Sequence, residues 1–194
     1  KLNIDPETRE GFVPQQIKQE RDQSKKYAMM GQFVEEFTKD ENVPWVLEQY
    51  IPHLVSKSEW PKVKAAAEKL LSVKPNDIDA ADALLNATQQ LKESPESVNK
   101  VANIAWKAAD SHLRTPRPDD PALTASWKES MEWATRLKQT AEYAIYAFAK
   151  DPATQKQAMT WLEELNPTSL YLISSTGQFA AMYQKQGNTA KMLA

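Results

Sequence analysis

Any chemistry in this chain must come from a short roster of side chains. It has 194 residues with two histidines, His53 and His112, and no cysteine. A thiolate zinc site, a thiol nucleophile and a disulfide framework are therefore excluded. Neither histidine stands in an H-x-x-x-H or H-E-x-x-H spacing, which would bring two imidazoles to one metal from one helical face. Both read as structural or surface residues. Adjacent carboxylates occur at Glu35-Glu36, Asp119-Asp120 and Glu163-Glu164. On a helix such neighbours point roughly a quarter turn apart, so they do not converge on one atom as an acid–base pair must. Ser174-Ser175 lies in no G-x-S-x-G elbow, and no glycine-rich loop is present to cradle phosphate. The chain reads as non-catalytic, with no cofactor and no metal.

Recognition chemistry is better represented. Six tryptophans are present, and tryptophan is favoured both in helix-packing cores and at binding hot spots. Core is the default, but Trp45 and Trp133 lie off the main apolar stripe of their segments. Around Trp133, the residues Glu129, Arg136, Thr140 and Tyr143 form a line beside the core seam of one long segment. That line combines the aromatic and arginine types enriched at interfaces. Glu48 joins Trp45 in a comparable off-stripe place on an earlier segment. These seven residues are the candidate partner-binding set, and their position beside the core is the reason for choosing them.

The elements that must position them are helices. Only four glycines are present, alanine, leucine, lysine, glutamate and glutamine are abundant, and runs of strand-favouring residues are nearly missing. Polar caps paired with proline punctuate the chain at Asn42-Val43-Pro44, Ser58-Glu59-Trp60-Pro61, Pro75-Asn76-Asp77, Ser94-Pro95, Asp119-Asp120-Pro121, Asp151-Pro152 and Asn166-Pro167. Between them, apolar residues recur at three-and-four spacing. Leu47, Tyr50, Ile51, Leu54 and Val55 mark one face, with Pro52 inside the pattern and a bend expected there. Val63, Ala66, Ala67, Leu70 and Leu71 mark the next. Residues 1–13 predict an extended or broken lead-in, 14–112 helical pairs, 113–120 an irregular connection, and 121–194 a long helix to about Lys150 followed by further helices, the last pair incomplete.

Paired helices of this length closed by proline resemble tetratricopeptide repeats. The clearest stretch runs from Ala180 to Asn188, where Tyr183 and Gly187 match the family's packing tyrosine and turn glycine. A second match takes Pro75 as the proline closing a repeat. Leu54, Val63, Ala67 and Leu70 then fall where the family carries small or apolar residues. The resemblance implies an all-α, right-handed α-α superhelix of about eight helices in antiparallel pairs. It further implies a non-catalytic scaffold that binds a protein or peptide on the concave side formed by first helices. The alternative is a helical accessory region of a larger enzyme whose catalytic domain lies outside this chain.

Acidic and basic residues nearly balance, for a net charge of −2, so no global field favours nucleic acid or anionic lipid. No apolar stretch approaches the roughly 20 residues of a membrane span. The start at Lys1 fits removal of an upstream segment. Together with the missing cysteine, it leans toward a bacterial extracytoplasmic compartment, with the cytoplasm as the alternative. The unfinished last pair leads us to expect a native chain that continues past Ala194.

Overall fold

The computed structural model describes residues 9–185 and 187, all helix, turn or connection with no strand among them. The α-helices are α1 (Arg9–Gln19), α2 (Gln23–Glu36), α3 (Val43–Ser56), α4 (Trp60–Val73), α5 (Ile78–Gln90), α6 (Pro95–Leu113), α7 (Thr124–Phe148), α8 (Pro152–Leu165) and α9 (Leu170–Lys185), with a 3-10 turn at Pro121–Leu123. The architecture is therefore all-α, and each helix from α1 to α7 packs on the next. The lead-in expected over 1–13 is helical from Arg9, and Pro14 lies inside α1 rather than opening it. The long helix begins at Thr124, after the 3-10 turn, and ends at Phe148. The unfinished end of the last pair, 188–194, lies outside the described residues.

Three of the expected caps account for the starts of α5, α6 and α8, whereas Asn42 and Glu59 precede α3 and α4 without a side-chain cap bond. The side chains of Asp77, Ser94 and Asp151 accept hydrogen bonds from the backbone N–H of Ala80 (2.9 Å), Ser97 (3.2 Å) and Thr154 (2.8 Å). Each satisfies a donor that the first helical turn leaves free. Pro95 and Pro152 occupy first-turn positions, where a missing N–H costs nothing.

The stops reveal a repeat. After α3, Ser58 adopts a left-handed backbone (φ 55°), its N–H donates to the Val55 carbonyl at 2.9 Å, and the Glu59 N–H donates to Leu54 at 3.0 Å. After α5, Lys92 does the same (φ 53°), with Lys92 donating to Gln89 at 2.9 Å and Glu93 to Thr88 at 3.2 Å. This is the Schellman arrangement that satisfies the last carbonyls of a helix. The two turns are 34 residues apart, and so are Pro61 and Pro95 in the helices that follow. The core obeys the same shift. Leu47, Ile51 and Leu54 are buried on α3, and their equivalents Ala81, Leu85 and Thr88 are buried on α5.

Alternate helices form two layers. α3 touches α5 and α5 touches α7, in addition to their sequence neighbours, while Tyr171 of α9 stacks on Tyr143 of α7 at 4.8 Å. On the other side Trp106 of α6 stacks on Trp161 of α8 at 4.9 Å. The seam between the layers is rich in alanine: Ala102, Ala105, Ala109, Ala134 and Ala141 are all at 0% exposure, and such small side chains allow helices to pack closely.

Leu54 and Leu70, both 1% exposed, should each cost about 2–5 kcal/mol on change to alanine. Chemical denaturation measures this, and a loss in both variants below about half a kcal/mol would place the core elsewhere. Lys92→Gly should raise stability by up to about 1 kcal/mol, because relief of the left-handed conformation is partly offset by the looser unfolded chain. A lower denaturation midpoint for this variant would contradict the turn assignment.

Candidate functional site

α3, α5 and α7 enclose a cleft of about 300 Å³. Its floor is apolar, made by Ile51 and Val55 of α3, Leu70 of α4, and Ala80 and Ala83 of α5. The rim is acidic, with Glu48 on α3, the capping Asp77, and Asp79 and Asp82 on α5. Trp133 reaches in from α7, and its indole Nε1 donates to Asp79 Oδ1 at 3.1 Å. That bond joins residues 54 positions apart in sequence and ties two first helices together without passing through α6.

The lining follows the 34-residue repeat. Glu48 and Asp82 are equivalent positions in consecutive first helices, as are Pro52 and Asn86, and all four line the cleft. Trp45 is the equivalent of Asp79. Pro52 has no N–H to return the helical bond to the Glu48 carbonyl.

The acids are not equally engaged. Glu48 pairs with Lys74, Asp77 is held by the Ala80 N–H, and Asp79 by the Trp133 indole. Burial raises the Asp79 carboxyl, and Asp77 adds to the effect. Asp82 has no donor or cation paired with it among the described residues. Burial, with the neighbouring Asp79 charge, pushes its carboxyl up to about 6.

Of the residues singled out in the sequence, Glu48 and Trp133 meet in the cleft. Arg136 is exposed, with its guanidinium 5.5 Å from the Trp133 ring centroid. Glu129 is exposed on the same helix and does not line the cleft. Thr140 and Tyr143 turn toward α9, where the Thr140 hydroxyl is 3.0 Å from the Tyr171 hydroxyl and Tyr143 stacks on the Tyr171 ring. Trp45 is half-buried, packs against the core and is absent from the cleft wall. Sequence reasoning missed Asp79, Asp82 and Asn86. Their signal was available, since they recur at helical spacing on the face of α5 opposite the stripe of Ala81, Leu84 and Leu85.

A second unanticipated acid lies deeper. Glu142 of α7 is fully buried, in contact with the Trp106 indole, whose Nε1 donates to Glu142 Oε1 at 3.0 Å. The other oxygen, Oε2, has no hydrogen-bond partner. Lys138 passes 5.0 Å over the Trp106 ring and bonds to Asp110, so its charge is shared with another acid. Burial dominates and pushes the Glu142 carboxyl up to about 7. The indole bond and Lys138 oppose the rise, while Asp110 and Glu164 add to it.

Among the described residues, no three acids, histidines or cysteines converge as a metal site would require, and no helix is long and apolar enough to cross a membrane. Compared with known proteins, the chain matches no protein-family model and no curated sequence.

The buried acid yields a pH prediction. A carboxyl raised on folding holds its proton in the native state, so its share of stability is complete below about pH 4.5 and is lost as pH rises through about 7. Glu142→Gln should remove that slope, a difference of up to about 3 kcal/mol between pH 4.5 and 7.5, while Asp82 keeps a smaller slope of the same sign. Denaturation at a series of pH values tests it, and identical slopes in the two proteins would refute the assignment.

Proposed function

We propose that this chain is a non-catalytic scaffold of tetratricopeptide-like type that holds a protein or peptide segment along the face of its first helices. The observation that carries this reading is the convergence of side chains from three successive first helices on one cleft, with Trp133 bridging to Asp79. Two further features support it. The 34-residue shift between the α3–α4 and α5–α6 turns equals the period of tetratricopeptide repeats. The cleft also sets the half-buried Trp133 ring beside an apolar floor, a combination that can concentrate binding energy in a few residues.

The reading is tested with an array of immobilised random decapeptides probed with the wild-type protein and with Trp133→Ala, both checked for native helicity by circular dichroism. A subset of peptides should retain the wild-type protein and lose the variant by about tenfold or more in affinity. Indistinguishable binding patterns would remove the cleft from any role in recognition.

A further inference from the structure

Resting on the scaffold reading, we infer that the cleft is built to receive a lysine or arginine side chain of the partner polypeptide, with Asp82 as its counter-ion. A long basic side chain has two parts, an aliphatic stem and a cationic head. The floor formed by Ile51, Val55 and Leu70 suits the stem. The head would meet an acid that nothing in the described chain satisfies: Glu48, Asp77 and Asp79 each have a partner, and Asp82 has none. A half-buried carboxylate without a partner is costly, and a cation arriving with its own donors offsets that cost.

The other occupants fit less well. An acidic side chain would add a further negative charge to a rim that already carries four acids. A purely apolar one would desolvate Asp82 without compensating it. A divalent cation lacks a converging set of three ligands among the described residues. A free polyamine would supply the charge but no peptide groups, whereas Asn86, one turn beyond Asp82, lines the cleft with an amide able to donate to and accept from a peptide backbone.

The experiment compares two arrays of the same random decapeptides, identical except that in the second every lysine is norleucine and every arginine citrulline. Each array is probed with the wild type, Asp82→Asn and Trp133→Ala at two salt concentrations. Expected is a set of Trp133-dependent binders on the first array that weaken about tenfold or more on the second. For Asp82→Asn the two arrays should differ little, and added salt should weaken wild-type binding to the first array. Trp133-dependent binding that is equal on both arrays would overturn the inference and leave the scaffold reading standing. No Trp133-dependent binding on either array would overturn both. Complete displacement of the bound peptides by equimolar spermidine, or self-association of the chain that hides Trp133 in sedimentation, would assign the cleft to those occupants instead and overturn the inference.

Discussion

The arrangement depends on how closely α5, α6 and α7 approach one another, and that approach depends on alanine. A methyl side chain allows two helix axes to sit nearer than leucine or phenylalanine would, and ridges then mesh at short range. α6 and α7 pack on each other, and Ala102, Ala105 and Ala109 of α6 and Ala134 and Ala141 of α7 are all without solvent exposure. With α7 drawn in, Trp133 is within reach of α5 and can bond Asp79. A wider seam would separate α7 from α5 and leave the cleft without its aromatic wall. Larger residues at these alanines would therefore act on binding as well as on stability, because they would push apart the helices that hold the cleft's two sides.

Much of the fold was legible because its signals are local. Caps such as Asp77, Ser94 and Asp151 act within three residues, and the apolar stripes of α3 through α6 need only helical periodicity. The same locality explains the misses. The helix through Pro14 carries a proline in its interior, which argues against a helix when only local pattern is read, and the 3-10 turn at Pro121 is set by Asp120, which accepts a hydrogen bond from the Ala122 N–H at 2.9 Å. The site was less legible. Trp133 and Glu48 were found from their positions beside the core stripe. Thr140 and Tyr143 belong to the same line on α7 but meet α9 instead, and a contact between helices some 30 residues apart leaves no trace in local spacing. Asp79 and Asp82 could have been found by carrying Trp45 and Glu48 forward 34 residues. That step needed the repeat period, which became clear from the paired left-handed turns at Ser58 and Lys92.

Glu142 shows a different kind of concealment. A lone glutamate amid Ala141, Tyr143, Ala144 and Ile145 is easily taken for the wet side of a helix. Here α7 is covered on two sides, by α6 and by α8, and the charge falls between them under the Trp106–Trp161 stack. An apolar residue of similar volume would pack there without a stranded oxygen. The acid instead makes a fully buried part of the core sensitive to proton concentration in the range where ordinary carboxyls are already ionised.

The Trp133–Asp79 bond has a mechanical side. In a stack where each unit mainly touches its neighbours, overall shape is the accumulated sum of small rotations from one unit to the next. A tie between alternate helices works as a strut across them. It adds one restraint on the angle between the α5–α6 and α7–α8 units, beside the larger packing of α6 on α7. Anything that competes for Asp79 would remove that restraint as well as fill a hollow.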